Sequence, residues 1–137
     1  MFKDAAKEWI KSALDDLITI KEIIDNPFIT NIVAFHAQQC IEKSLKAIIE
    51  YEGKEVPKVH NLQYLFSLVK FPIEINMEIV KKLDELYIES RYPIGMGFLP
   101  YGKPSLSEAK KFYEFAKYVF DKTCEFLEIK EKELTII

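Results

Sequence analysis

Arg91 is the residue whose type and position most strongly indicate chemistry. It is the single arginine among the 19 basic residues of the chain, the others being lysines. A planar guanidinium binds a phosphate or carboxylate through two parallel hydrogen bonds, which an ammonium cannot do. Arg91 opens a glycine- and proline-rich stretch, residues 91–105, in which Lys103 is the only other charged residue. We predict an anion-binding loop here; the simpler alternative is that Arg91 only offsets the dipole of the helix before it.

Two tyrosines and three lysines extend this candidate ligand site. Tyr92 and Tyr101 lie in the same loop, where each can stack on a nucleobase or pack so that it fixes the loop. Lys43 and Lys46 lie on the polar side of an earlier helix. They form either a phosphate-contacting patch or, because glutamates lie among them, a solvated face of mixed charge. The predicted ligand-binding residues are therefore Arg91, Tyr92, Tyr101, Lys103, Lys43 and Lys46.

Composition argues against several classes of function. A net charge of −3 argues against a nucleic-acid binder held by whole-molecule charge, although it leaves room for a local basic site. The two histidines and two cysteines lack metal-ligand spacing, and Gly95-x-Gly97 follows no predicted strand, as a phosphate-binding fingerprint would. We predict no cofactor and no metal. With no signal-peptide pattern and no apolar run near the roughly 18 residues of a membrane span, the expected location is cytoplasmic.

Apolar residues recur at helical spacing through most of the chain. The predicted helices cover residues 4–25, 31–51, 62–69, 76–89 and 106–127. Asn61 is the expected N-cap of the third helix and Ser105 or Ser107 that of the last, and Gly53 is the expected C-terminal cap of the second. The expected fold is all-α: an antiparallel up-and-down four-helix bundle with one additional short helix and a long loop before the last helix. All of it fits one domain spanning residues 1–137.

The helix over residues 31–51 is predicted to be the centre of the bundle, with Thr30 or Asn31 as its N-cap. Its apolar arc is wide enough to contact more than one neighbouring helix. Gln38 falls inside that arc, so its amide needs partners. Asp16, at the edge of the apolar face of the first helix, is predicted to be a half-buried acceptor for a neighbouring helix, with a catalytic carboxylate as the alternative. The arc also contains a seam of small side chains that lets another backbone come close: Ala37, Cys40, Ser44 and Ala47.

Phe35 interrupts the polar side of the same helix. Phe35, Gln39, Glu42 and Lys46 follow one another at helical spacing and form one continuous stripe. One interpretation is a solvated face that carries a Glu42–Lys46 pair and a single exposed aromatic residue. The other is a helix-to-helix homodimer interface anchored by Phe35, with the polar groups setting the register.

The segment AFHAQQCIEKSLKAIIEYEG in this central helix resembles the signature of HEPN domains. That signature has a Gln-Gln pair, a small residue, then Glu-Lys and Leu-Lys-Ala. Further along, His60-Asn61-Leu62 with Leu65 resembles a His-x-Leu-x-x-Leu segment of the family, and Arg91-Tyr92-Pro93 resembles an Arg-Tyr-Pro segment. The first-helix pattern and the final amphipathic helix also fit, so the resemblance covers nearly the whole chain.

The resemblance implies an up-and-down helical bundle that is usually a homodimer and acts near nucleotides or RNA. Genes for such domains often accompany a minimal nucleotidyltransferase, in pairs that can act as toxin and antitoxin. Many members are metal-independent ribonucleases that use an Arg followed four to six residues later by a His. Such cleavage needs a base for the 2′-hydroxyl and a cation at the phosphate.

This sequence departs from the ribonuclease pattern, because no His follows Arg91. His60 serves as the base only if folding brings it beside Arg91. The first hypothesis is therefore a dimeric module that binds a nucleotide, an RNA end or a nucleotidyltransferase partner through the loop from Arg91 to Tyr101. The alternatives are a ribonuclease using Arg91 with a displaced base, and a purely structural interaction subunit.

Overall fold

The computed structural model describes residues 2–90 and 102–134, except for the side chains of residues 89 and 90. The described residues form five α-helices: α1 (Phe2–Ile23), α2 (Thr30–Tyr51), α3 (Leu62–Leu68), α4 (Met77–Ser90) and α5 (Leu106–Leu127). A short 3-10 helix, Glu131–Glu133, follows α5. The predicted all-α bundle is confirmed, with helix ends that differ from the predicted ends by at most two residues. Arg91, Tyr92 and Tyr101 lie outside the described residues.

Helix α2 is the centre of the bundle. It packs most extensively against α1 and α5, and it also contacts α3 and α4. Within the described residues the backbones of α1 and α4 do not approach each other closely. The side of α2 that faces the gap between them is the side that keeps partly exposed residues, among them Phe35, His36, Gln39 and Lys43.

The small residues of α2 lie in the core, as their spacing predicted. Ala37, Cys40, Ser44 and Ala47 are fully buried. The Ser44 hydroxyl donates a hydrogen bond to the Cys40 carbonyl at 2.8 Å, and the Cys40 thiol lies 3.9 Å from the Ala116 carbonyl of α5. Burial, with a smaller contribution from Asp16, raises the pKa of the Cys40 thiol well above its ordinary value. Small side chains thus let α5 approach the α2 backbone closely.

The ends of three helices follow the predicted caps. The Asn61 side chain accepts a hydrogen bond from the Tyr64 amide at 2.7 Å, and Ser105 forms a capping box with Glu108 at the start of α5. Gly53 follows α2 with a positive φ of 74°, where a side chain would be strained.

The start of α2 departs from the prediction. Its N-cap is Ile29, which makes no side-chain capping bond. Instead of capping, the Thr30 hydroxyl donates to the Pro104 carbonyl at 2.7 Å. This buried bond ties the start of α2 to the segment that leads into α5.

Candidate functional site

Glu42 is the centre of a buried polar network on α2. Its carboxylate accepts hydrogen bonds from Lys46 at 2.9 Å and from Gln38 at 3.1 Å, and it lies 3.1 Å from the nearer ring nitrogen of His60. The Glu42 and Lys46 side chains are each only 6% exposed, so the interpretation of this pair as a solvated face is wrong. The Lys46 ammonium also lies 5.7 Å from the centre of the Trp9 ring on α1.

The two adjacent glutamines of α2 complete the network. Gln38 is fully buried, and its amide donates to the His60 carbonyl at 2.8 Å as well as to Glu42. Gln39 donates to the Gln38 side-chain oxygen at 2.6 Å. The predicted need of the Gln38 amide for partners is therefore confirmed. Together these bonds hold both the backbone and the ring of His60.

The contact with Glu42 fixes the orientation of the His60 ring. A carboxylate only accepts hydrogen bonds, so Nδ1 of His60 carries the hydrogen that points to Glu42. In the neutral ring Nε2 is then the acceptor. The His60 side chain is 45% exposed. A buried carboxylate that orients an imidazole in this way can hold it in the tautomer that takes up a proton at Nε2.

Tyr87 joins this network to the end of α4. Its ring lies 5.0 Å from that of His60 and stacks at 6.2 Å on Phe35 of α2. Tyr87 belongs to the last turn of α4, four residues before Arg91 in the sequence. A cavity of about 300 Å³ adjoins the two rings and is lined by Val59, His60, Asn61, Asp84, Tyr87 and Ile88.

Asp84 fixes the segment that carries His60. Its buried carboxylate accepts hydrogen bonds from the Leu62 amide at 2.7 Å and the Gln63 amide at 3.2 Å. A side chain of α4 therefore satisfies the first amides of α3, next to His60. Sequence reasoning missed Asp84 and Tyr87, because both look like ordinary residues of an amphipathic helix and no local pattern links them to residues 60–63.

A second imidazole–carboxylate pair lies between α1 and α2. Asp16 of α1 contacts Nδ1 of His36 and the ammonium of Lys43, each at 2.8 Å. The Asp16 side chain is nearly fully buried; the Lys43 ammonium compensates its charge, and the His36 ring is a further hydrogen-bond partner. The prediction that Asp16 accepts from a neighbouring helix is confirmed, but Asp16 is buried and not half-buried as predicted. Phe35 packs edge-on against His36 at 5.4 Å.

The structure divides the predicted ligand-binding residues into three groups. Lys43 and Lys46 donate to Asp16 and Glu42 inside the protomer. Lys103 is exposed, and its ammonium donates to the Phe28 carbonyl in the turn before α2. Arg91, Tyr92 and Tyr101 lie outside the described residues. Of the predicted interface stripe, Phe35 and Gln39 are partly exposed, whereas Glu42 and Lys46 are buried beneath them.

Two features are absent from the described ranges, residues 2–90 and 102–134. Those residues contain no cluster of three His, Cys, Asp or Glu side chains suited to a metal ion. Nor does any helix within them combine the length and apolar character needed to cross a membrane.

Comparison with protein-family models decides the family. The model of the HEPN domain matches residues 6–128 of the 137-residue chain. The chain belongs to the HEPN domain family. Comparisons of this HEPN domain with curated proteins and with solved structures each found no match. Membership associates it with helical modules of nucleotide- and RNA-linked processes.

The residues that carry the HEPN resemblance are those of the buried network. The Gln-Gln pair is Gln38 and Gln39, and the Glu that follows is Glu42. Lys46 is the lysine before the final alanine of the motif. In this HEPN domain the four side chains bond to one another and hold His60 against the last turn of α4.

Proposed function

We propose that this HEPN domain is a homodimeric binding module. Arg91 would bind the phosphate of a nucleotide or of an RNA end, with His60 beside it. The observation that supports the proposal is that His60 contacts both Glu42 and Tyr87. Tyr87 lies in the last turn of α4, and α4 ends immediately before Arg91. A guanidinium can bind a phosphate through two parallel hydrogen bonds. An adjoining imidazole and tyrosine ring can contact a ribose or stack on a base. Tyr92, Tyr101 and Lys103 belong to the same proposed site.

Ligand-induced stabilisation tests this proposal. At a ligand concentration of a hundred times Kd, a single site stabilises the native state by about 2.7 kcal/mol. Unfolding should be followed in ATP and in a short RNA for the wild type, Arg91→Lys and Arg91→Ala. We expect Arg91→Lys to lose most of the stabilisation, because it keeps the charge but loses the planar fork. Lys110→Ala, on the surface of α5, is the control that should keep it. A shift that is the same in all four proteins contradicts the proposal.

The proposed dimer contact lies over the gap between α1 and α4. Phe35 and Gln39 are partly exposed there, while Glu42 and Lys46 support the surface from below. Phe35→Lys should shift the dimer towards monomer on dilution, because it places a charge at the centre of the contact. Tyr64→Lys, at an exposed residue of α3, is the matched control. Light scattering that gives the same mass for Phe35→Lys and wild type removes Phe35 from the interface.

A minimal nucleotidyltransferase is the proposed protein partner, in a toxin–antitoxin-like pair; this rests on the family resemblance alone. Co-expression with such an enzyme from the same genome, followed by purification through a tag on either protein, tests it. A complex of fixed stoichiometry supports the pairing. Separate elution at micromolar concentration contradicts it. If the wild type binds no nucleotide or RNA, and the Arg91→Ala variant still forms the complex, the result instead supports a purely structural interaction subunit.

The orientation of His60 favours a second candidate, a metal-independent ribonuclease. Nε2 of His60 would take the proton of the 2′-hydroxyl as that oxygen attacks phosphorus. Arg91 would stabilise the charge on the phosphoryl oxygens, and the leaving 5′-oxygen would take a proton from water. The products are a 2′,3′-cyclic phosphate and a 5′-hydroxyl end. Glu42 would keep the His60 ring in the required tautomer.

RNA cleavage in excess EDTA tests this second candidate. We expect activity in the wild type and its loss in both Arg91→Ala and His60→Gln. An RNA with a single 2′-deoxy nucleotide at the cleavage position should resist. Equal cleavage by the wild type and both variants, or no cleavage by any of the three, contradicts the ribonuclease hypothesis. Neither result bears on the proposal of a binding module.

A further inference from the structure

A second cavity, away from the one beside His60 and Tyr87, lies between α1 and α5. Its volume is about 410 Å³, within the range of roughly 300–1,000 Å³ found for small-molecule sites. Helix α1 contributes Leu14, Leu17, Ile18 and Lys21, which follow one another at helical spacing. Helix α5 contributes the facing residues from Tyr113 to Glu125, and the turn after α5 contributes Glu131 and Leu134. The cavity is therefore bounded on three sides.

The lining of this α1–α5 cavity is mainly apolar. Leu17 and Phe120 are largely buried at its base, whereas Ile18 remains 49% exposed beside it. Burial raises the pKa of the Cys124 thiol, which also lines the cavity, to about 12. A neutral thiol in such surroundings behaves as a small apolar group. The base of the cavity therefore suits a hydrocarbon chain.

The charged groups at the rim are unequally compensated. Asp121 pairs with Lys117 at 2.8 Å, and Glu125 pairs with Lys122 at 3.6 Å. Glu131 also has an interaction partner. Lys21, in contrast, forms no ion pair or hydrogen bond within residues 2–88 and 102–134. The rim therefore offers one cation that lacks an anion.

We propose that the α1–α5 cavity binds a free alkyl monocarboxylate of medium chain length. Its hydrocarbon chain would lie between Leu17 and Phe120, and its carboxylate would pair with Lys21. The three-sided boundary favours a short flexible chain over a partner helix, which would need a groove open at both ends. This cavity shares no lining residue with the cavity beside His60, and the proposal does not depend on the function proposed above.

Chain length and head group should then affect affinity separately. Burying one more methylene tightens binding by about fourfold while the chain still fits. In calorimetry, Kd should fall by that factor per methylene from octanoate to decanoate. Lys21→Met should weaken decanoate but leave 1-decanol unchanged, because the alcohol has no charge to pair. Ile18→Glu should abolish both, and Ile75→Glu, at a partly exposed isoleucine outside the cavity (40% exposed, against 49% for Ile18), should abolish neither.

Cys124 reports where the ligand binds, independently of the calorimetric measurement. Cys40 is fully buried, so modification of the native protein by a methanethiosulfonate reports on Cys124. Saturating decanoate should slow that modification at least fivefold, and should not do so in Ile18→Glu.

Three results would overturn the proposal. The first is decanoate binding that is unchanged in Ile18→Glu, which places the ligand elsewhere. The second is binding that ignores both chain length and Lys21, as in detergent-like adsorption. The third is no binding at all in wild-type protein whose far-UV spectrum is helical.

Discussion

Replacing Lys46 by Met tests the central claim about the polar network most directly. Lys46 and Glu42 are four residues apart on α2, with 2.9 Å between ammonium and carboxylate and only 6% of each side chain exposed. Methionine keeps most of the volume of the lysine chain but removes its charge. The Glu42 carboxylate then stays buried without a cation, although it keeps its contacts with Gln38 and His60.

The magnitude follows from the burial of the pair. Removing one partner of a buried ion pair costs about 3–5 kcal/mol. We expect about 3 kcal/mol here, because the remaining contacts still serve the carboxylate. Lys117 and Asp121 on α5 form the matched control, with the same spacing and 2.8 Å between the charges, but with 52% of each side chain exposed. Lys117→Met should therefore cost no more than about 0.5 kcal/mol.

Urea unfolding at one fixed protein concentration measures both effects. With an m value of about 1.5–2 kcal/mol/M, Lys46→Met should lower the midpoint by about 1.5–2 M and Lys117→Met by about 0.2–0.3 M. Combining Lys46→Met with Glu42→Gln should recover more than half of the loss, because no charge then remains buried. A midpoint for Lys46→Met as close to wild type as that of Lys117→Met would refute the buried network.

Three further outcomes are expected. Ala37→Leu should cost about 1–3 kcal/mol in urea unfolding, because a larger side chain cannot fit the buried seam against α5; an unchanged midpoint would mean that the seam tolerates volume. Asp84→Ala should cost about 1–3 kcal/mol, because it leaves the first amides of α3 unsatisfied; a smaller loss than that of Asn61→Ala, a simple cap deletion of about 1 kcal/mol, would contradict this role. Iodoacetamide should modify native Cys40 and Cys124 slowly near neutral pH, because their raised pKa values keep the thiols protonated. The rate at Cys124 should rise about tenfold per pH unit through the mildly alkaline range. Rapid labelling of the native protein at neutral pH would contradict it.

Local periodicity predicted the helices and most of their ends well. The spacing of apolar residues identified all five helices, and the small seam of α2 was correctly assigned to the core. Asn61 was recognised as a cap, and Ser105 was one of two candidates with Ser107, because a cap is a relation between residues three positions apart. The start of α2 was assigned wrongly, since Thr30 bonds instead to Pro104, 74 residues away.

The polar contacts between helices were harder to predict. On a helical wheel, Glu42 and Lys46 lie with Phe35 and Gln39, and nothing in the wheel shows that the loop carrying His60 and the ring of Trp9 cover them. Asp16 was assigned correctly because its position next to an apolar face restricts it to partners on another helix. Asp84 and Tyr87 gave no such signal, since their contacts with residues 60–63 depend on how the α3–α4 pair packs.

The separation of the α1 and α4 backbones in the described part of the chain has a consequence for how the native state fluctuates. Helices α1, α2 and α5 share the larger part of the core, whereas α3 and α4 pack mainly against each other and α2. Their contacts with α5 are smaller and include the rings of Phe66 and Phe115, whose centres are 6.5 Å apart. Amides of α3 and α4 should therefore exchange with solvent by a partial opening of lower free energy than global unfolding. That opening would carry His60 and Tyr87 away from Glu42 together. The site could then be taken apart and rebuilt while the other three helices stay folded.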